Sequence, residues 1–93
     1  MSVVRKKELL YSKADENTHM YYDETLGKII LLNNPAAVFF ELCGNDTLSV
    51  ISDKYAERYS GSGISRTILE ADALRVYSEL SELGIVWEDG NNG

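Results

Sequence analysis

The stretch that decides the fold reads KIILLNNPAAVFFELCG and covers residues 28–44. Its first five residues are mostly apolar and partly β-branched, which predicts a strand over residues 28–32. Asn34 and Pro35 predict a helix start, because Asn caps helices well and Pro at the first helical position loses no needed hydrogen bond. Gly44 predicts the helix end. The helix between them is apolar nearly all round, so we expect it at the centre of the core.

Two further strands are predicted upstream of this stretch. A short apolar run at residues 9–11 is followed by the turn signal Asp-Glu-Asn at 15–17. Residues 20–22 are rich in aromatics and suit a strand. Residues 23–27 predict a hairpin loop, with Gly27 able to take a positive φ. Three short strands joined by tight turns indicate an antiparallel meander.

Downstream of Gly44 the pattern changes to helical periodicity. Thr47 is a candidate N-cap for a helix with one apolar face, made by Leu48, Ile51, Tyr55 and Tyr59. The Ser-Gly-Ser-Gly stretch at 60–63 predicts a flexible break. A last helix should begin near Ser65 or Thr67, and Thr67 with Glu70 matches the capping-box spacing.

The last predicted helix carries an apolar stripe and has a clear end. Its stripe comprises Leu69, Ala73, Val76, Tyr77, Leu80 and Leu83. Gly84 predicts its end. Residues 85–87 should pack back as a short extended segment, and residues 88–93 resemble a frayed polar tail.

These elements predict an α+β fold with a three-stranded antiparallel sheet followed by three helices. Such a small sheet cannot cover its own inner face, so the helices must pack on it. This is winged helix-turn-helix-like, with the strands moved to the front. The chain length of 93 residues predicts one domain, 1–93, with an ordered core of about residues 8–88.

Composition restricts the classes of partner and the cellular setting. The net charge is −6, from Lys+Arg 9 and Asp+Glu 15, which argues against nucleic acid and weakly favours a partner with basic residues. One cysteine and one histidine allow neither an internal disulfide nor the usual zinc site. The charged N-terminal stretch does not resemble a signal peptide, and no apolar run could span a membrane. A cytoplasmic protein that does not bind membranes is therefore expected.

No residue pattern indicates catalysis. His19 has no second ligand or partner nearby in sequence, and Cys43 ends an apolar helix, where a buried structural thiol is expected. The adjacent acids at 15–16 and 23–24 do not converge on one atom as a general acid–base pair must, and we expect solvated loop charges. The glycine-containing stretch at 60–63 lacks the ending of a phosphate loop. We therefore predict no enzyme, no cofactor and no metal site.

A partner is expected to bind at the sheet edge. If the strands form a simple meander, the third one, residues 28–32, is an edge with unpaired N–H and C=O groups. An extended peptide could add to it as a further strand. The last helix could form a second wall, because charged residues lie beside its apolar stripe. The ordinary interpretation, a solvated face of an amphipathic helix, remains open.

The order of these motifs resembles the PqqD-like family, the RiPP recognition elements. The resemblance rests on Leu32-Asn33-Asn34-Pro35 followed by small residues and the apolar helix ending in Leu42-Cys43. It continues through Thr47 and the segments 70–74 and 80–86, and covers about residues 8–88. The chain departs from the family where Gly44-Asn45 replaces the Asp-Gly that often follows Leu-Cys.

The resemblance implies a protein that holds the leader of a ribosomally made precursor peptide. The leader would bind as an added strand in a cleft between the third strand and the third helix. The implied partners are the precursor leader peptide and a modifying enzyme such as a radical-SAM protein or a leader peptidase. The implied peptide-binding residues are Lys28, Ile29, Ile30, Leu31, Leu32, Ile68, Leu69, Asp72, Arg75, Val76 and Glu79.

Two other classes fit parts of the same pattern. A winged-helix DNA-binding regulator would share the two last helices, but the second of them carries more acidic than basic residues. A dimerising structural subunit would use the same edge strand to form a homodimer.

Overall fold

A computed structural model describes residues 2–90 of the chain and has an α+β fold with antiparallel strands and three helices. In chain order the elements are β1 (Val3–Lys6), β2 (Leu10–Asp15), β3 (Thr18–Asp23), β4 (Lys28–Asn33), α1 (Asn34–Leu42), α2 (Leu48–Arg58), α3 (Arg66–Glu82) and β5 (Val86–Asp89). One turn of 3₁₀ helix at Ser60–Ser62 separates α2 from α3.

The predicted meander is the larger of two sheets. Its strands run in the order β2-β3-β4, so β3 is central and β2 and β4 are both edges. Both pairings are antiparallel, and the register places Tyr11 and Ile30 on either side of Tyr21. Gly27 has φ +64 in the loop between β3 and β4, as the sequence predicts. The third predicted strand is therefore an edge strand, now numbered β4.

The second sheet was not predicted. Because one of its strands follows the last helix, the predicted order, in which all strands precede the helices, is not observed. Strand β1 pairs antiparallel with β5, from Val3 opposite Asp89 to Lys6 opposite Val86. Val4 and Val86 are buried, at 0% and 1% exposure. The ordered core thus extends beyond residues 8–88, and the predicted frayed tail is wrong for Glu88 and Asp89, which belong to β5. The last residues of that predicted tail, 91–93, lie outside the described part of the chain.

The N-cap of helix α1 lies one residue earlier than predicted. Asn33, not Asn34, is the N-cap, and its Oδ1 accepts a hydrogen bond from the Ala36 N–H at 3.0 Å. Strand β4 continues to Asn33, so the chain passes from strand to helix with no loop between them. This direct junction fixes the direction of α1 relative to the edge strand.

Helices α2 and α3 begin where the sequence predicts a helix start, but one predicted capping residue of α3 differs from the observed one. Thr47 caps α2 as predicted, and its hydroxyl accepts from the Val50 N–H. Ser65 caps α3 through the Ile68 N–H at 3.3 Å, so the predicted Thr67 capping box is wrong. Gly84 follows α3 with φ +76. Leu83 is 52% exposed and does not belong to the apolar stripe, because α3 has ended before it.

Helix α1 is at the centre of the core, as the sequence predicts. Phe40 contacts Tyr21 of the larger sheet, with ring centroids 4.9 Å apart. Phe39 contacts Tyr55 of α2 at 5.9 Å and Tyr77 of α3 at 6.3 Å. The sheet therefore covers one side of α1, and the other two helices cover another. Across residues 2–90, each helix is too short or too polar to cross a lipid bilayer.

One buried polar atom in α2 gives a stability prediction. The Ser52 hydroxyl is buried and has no hydrogen-bond partner among the described residues. An unsatisfied buried hydroxyl destabilises a fold, and Ala forms helices better than Ser. We expect Ser52→Ala to raise the free energy of unfolding by about 1 kcal/mol, measured by urea denaturation.

The matched control for this variant is Ser78→Ala, which makes the same change at an exposed position inside α3. It should show only the helix-propensity gain, roughly 0.5 kcal/mol or less. A loss of stability in Ser52→Ala would mean that the hydroxyl is satisfied in solution, for example by a buried water.

Candidate peptide-binding site

The larger sheet has two faces of different character. Its inner face packs on α1 through Tyr21, which is buried. On the outer face, the register aligns Leu10, Tyr22 and Ile29 in one row across the three strands. A second row aligns Ser12, Met20 and Leu31.

The outer face is apolar and uncovered. Leu10, Tyr22, Ile29 and Leu31 are 54%, 39%, 62% and 61% exposed. Neither row contains a charged residue, although charged residues make up 26% of the chain. Large exposed apolar patches on soluble domains commonly mark interaction sites. This outer face is therefore a candidate contact surface.

Strand β4 borders this face as an edge. It pairs with β3 on one side, and no described strand pairs with it on the other. Along an edge strand, every second residue directs its N–H and C=O away from the sheet. The strand is six residues long, which is enough for an extended peptide to add several ladder hydrogen bonds.

The predicted strand residues divide between the two faces. Ile29 and Leu31 point outward and are exposed, and Lys28 is exposed at the start of the strand. Ile30 is partly buried on the inner face. Leu32 is only 5% exposed and belongs to the core. Its inclusion among the peptide-contacting side chains is corrected, because only its backbone remains accessible at the edge.

The predicted residues of α3 divide in the same way. Ile68 is 60% exposed, and Arg75 and Glu79 are also exposed. Leu69 and Val76 are 5% and 2% exposed. These two side chains face the core at helical spacing, so they are not accessible in the unbound chain, and their contact with a peptide stays a prediction.

The charges on α3 are mutually paired. The Arg75 guanidinium donates to Asp72 Oδ1 and to Glu79 Oε2, the latter at 2.7 Å. Asp72 also accepts from the Tyr55 hydroxyl at 2.6 Å. Burial alone would raise the pKa of Asp72, but the hydrogen bonds from Tyr55 and Arg75 outweigh it and lower the pKa. Arg75 is thus occupied by two carboxylates and is poorly placed to attract an acidic ligand.

The other arginine of α3 is held in the same manner. Arg66 forms ion pairs with Asp53, with Glu57 at 3.6 Å and with Glu70 at 3.1 Å. Carboxylates outnumber the arginine in both clusters, so the exposed side of α3 is acidic. A duplex backbone would be repelled there, whereas a basic peptide side chain would be attracted.

Strand β4 and helix α3 share α1 as a neighbour. Both elements pack against α1, which continues directly from β4. The strand and the helix are thus linked through α1, with the larger sheet against Phe40 and helix α3 against Phe39. The exposed members of the predicted set are Lys28, Ile29, Leu31, Ile68, Arg75 and Glu79.

Asp23 has a structural role that the sequence did not reveal. It was predicted to be a solvated loop charge, but it is 3% exposed. Its carboxylate accepts from Lys7 Nζ at 2.5 Å and from the Thr25 and Leu26 N–H groups at 3.0 and 3.2 Å. The Lys7 ammonium, helped by the two loop amides, lowers the pKa of Asp23 despite its burial. Asp23 thereby fixes the loop that leads into β4.

The side chains of His19 and Cys43 both make hydrogen bonds within the fold. The His19 ring lies between the Tyr11 hydroxyl, 2.8 Å from Nδ1, and Asn34 Oδ1, 2.6 Å from Nε2. Cys43 is buried as predicted, and its thiol donates to the Phe39 carbonyl at 3.3 Å. Burial raises the pKa of Cys43 to about 12. Within residues 2–90, no three His, Cys, Asp or Glu side chains lie close enough together to hold a metal ion.

Comparison with known proteins adds no relative. No protein-family model, no curated protein and no solved structure matches the chain.

The burial of Asp23 gives a prediction of pH dependence. A carboxyl whose pKa is lowered on folding stabilises the fold above its ordinary value of 3.8 and loses that effect as pH falls through the folded value. We expect Asp23→Asn to lower the free energy of unfolding at neutral pH. The difference from wild type should shrink as the pH is lowered below about 4, measured by denaturation at a series of pH values.

Glu24→Gln is the control, because it removes the same charge from the next residue of the loop, which is exposed. It should have little effect at any pH. A difference between Asp23→Asn and wild type that stays constant down to pH 2 would contradict the role of the ionised carboxylate.

Proposed function

We propose that this chain is a non-catalytic recognition module that binds the leader of a ribosomally made precursor peptide. One observation carries the proposal: β4 is an edge strand beside two apolar, uncharged rows of the outer sheet face. The motif order that resembles the PqqD-like family supports it. In this proposal the fold is a winged helix-turn-helix variant, in which α2 and α3 form the helix pair.

The leader would add to β4 as a further strand. Backbone hydrogen bonds to the strand would supply affinity without sequence selectivity. Its alternate side chains would extend the outer face beside Ile29 and Leu31, both more than 60% exposed in the unbound chain. Covering each of these side chains would contribute about 1–2 kcal/mol before the entropic cost of ordering the peptide.

The charge pattern of α3 suggests which leaders would bind. Asp72 and Glu79 enclose Arg75, so the net charge of this cluster on α3 is negative. A basic side chain on the leader would be attracted to this cluster, and an acidic one would be repelled. We therefore propose a leader with apolar residues at alternating positions and at least one Lys or Arg.

The module would act by raising the local concentration of the precursor at a modifying enzyme. A radical-SAM protein or a leader peptidase would be the enzyme, in the biosynthesis of a peptide natural product or of a pyrroloquinoline-quinone-type cofactor. We propose that the protein acts in the cytoplasm, where such precursors are made. A DNA-binding role is disfavoured by the acidic clusters around Arg66 and Arg75.

Self-association is a second candidate, favoured by the two uncharged rows of the outer face. Two copies could pack these faces together without bringing like charges into contact, even though each chain has a net charge of −6. Size-exclusion chromatography with light scattering across protein concentrations separates the two functions. A dimer that persists in excess leader would favour the structural role over peptide recognition.

The proposal is tested by titrating the protein with synthetic leaders from short reading frames encoded beside its gene. Fluorescence polarisation should show one leader binding with a Kd of about 1 µM or tighter, and a scrambled version should not bind. A folded sample that binds none of these peptides would overturn the proposal.

Two variants locate the proposed contact. Leu31→Asp should weaken leader binding about tenfold or more, because it removes an apolar contact and places a carboxylate in the interface. Val50→Asp is the matched control, since Val50 is 41% exposed in the first turn of α2, where an acidic residue suits the helix dipole. Equal affinity for Leu31→Asp and Val50→Asp would place the leader elsewhere.

A further inference from the structure

The inner side of the other edge strand, β2, opens into a groove. A cavity of about 490 Å³ lies between this strand and α1, lined by Tyr11, Tyr21, Val38, Leu42 and Arg58, among others. A second depression of about 350 Å³ continues it toward Lys6 and shares Tyr11 and Tyr21. The groove is thus elongated and runs beside an edge whose six residues are all exposed.

The groove has an apolar floor and a cationic end. Val38 and Leu42 lie one helical turn apart on α1, opposite the rings of Tyr11 and Tyr21, which are 5.2 Å apart. Arg58, at the end of α2, lines the same cavity. His19 also lines the cavity. Lys13 is directly opposite His19 in the strand pairing, on the inner face of the sheet.

These two cations differ from most others in the chain. Arg5, Lys6, Lys7, Lys54, Arg66 and Arg75 all form ion pairs with carboxylates. Among residues 2–90, the lysines and arginines without an ion pair are Lys13, Lys28 and Arg58. Arg58 lines the groove, and Lys13 lies opposite the lining residue His19 in the sheet register, in a chain whose net charge is −6.

Of the residues that the structure describes, Glu41 is the one carboxylate that lines the larger cavity, and the second depression is also lined by Glu8. Glu41 Oε2 accepts from the Tyr21 hydroxyl at 2.9 Å, and Oε1 lies 3.5 Å from Lys6 Nζ. The lining therefore leaves the positive charge of Arg58 without an ion-pair partner among the described residues. An anionic group from outside complements it.

We infer that this groove is a second binding site, which takes an extended protein segment carrying an acidic residue beside an apolar or aromatic one. The acidic side chain would pair with Arg58 and Lys13, and the apolar one would cover Val38 and Tyr21. The unpaired backbone of β2 would hold the segment as an added strand. An extended peptide is favoured over a small molecule because the groove is long, open and bordered by an edge strand.

This inference builds on the proposed function by giving the module two sites with opposite charge preferences. The leader would occupy the β4 edge beside acidic α3, and a segment of a second protein would occupy the β2 edge. The two strands are on opposite sides of β3, so both sites could be filled at once. Such simultaneous binding is what delivery of a precursor to an enzyme requires.

The test uses two short probe peptides and the full chain labelled with ¹⁵N. One probe is acetyl-Glu-Val-Tyr-Val-Glu-amide, and the other has Lys in place of both Glu residues. At about 1 mM probe, which detects weak binding, NMR should show the acidic probe shifting amides of β2, Val38 and Leu42. The lysine probe should not shift them.

Charge-reversal variants then test the named cations. Arg58→Glu and Lys13→Glu should each weaken binding of the acidic probe about fivefold to tenfold at low salt. Lys54→Glu is the matched control, since it lies on the same helix but its charge is directed to Asp46 at 2.8 Å. This variant should bind the acidic probe with an affinity within about twofold of the wild-type value.

The outcomes distinguish this site from the leader site. Binding of the acidic probe that is unchanged by Leu31→Asp but weakened at least about fivefold by Arg58→Glu would establish the groove, even if no leader bound at β4. Equal shifts from the acidic and lysine probes, shifts confined to β4 and α3, or no shift at all would overturn the inference.

Discussion

Helix α1 must be covered on nearly every side, and the rest of the structure is arranged to do so. Phe39 is 0% exposed, Phe40 2% and Ala37 3%, so the helix has no broad solvent face. A helix of this kind is stable only inside a core. The larger sheet closes one side through Tyr21, and Tyr55 and Tyr77 close the side toward α2 and α3.

Covering α1 requires only one face of the larger sheet. Its inner face is committed to α1, while the outer face carries apolar residues that nothing in the described chain covers. The meander also leaves two edges, β2 and β4. The arginines of α3 are surrounded by carboxylates, whereas Arg58 at the groove and Lys13 of β2 have no ion pair among the described residues. In the proposed scheme, the two edges would therefore take partners of different charge.

Local signals predicted the parts of the fold that depend on neighbouring residues. Gly27 and Gly84 have the positive φ values expected of them, and Thr47 caps α2. The N-cap of α3 shows the limit of such signals, because the cap is Ser65 and not the Thr67 of the predicted capping box. Both residues have the right chemistry, and the choice depends on where the preceding loop ends.

Features that depend on distant residues were not predictable from the sequence. Strands β1 and β5 are four residues long, and half of their residues are charged. The extended segment at residues 85–87 was predicted, but its pairing with β1 was not. Asp23 looked like a loop charge because its partner, Lys7, is sixteen residues away. In the candidate site, the edge position of β4 was foreseen. The burial of Leu32, Leu69 and Val76 required the packing of α1 to be known.

The pairing of β1 with β5 has a mechanical consequence. Val3 is opposite Asp89, so the two ends of the described fold lie side by side at one end of an antiparallel ladder. Tension applied through both ends would load the ladder one pair at a time, like a zipper, rather than shearing all its hydrogen bonds together. This small sheet would open first and at low force, while the meander and α1 stayed unloaded until it had separated.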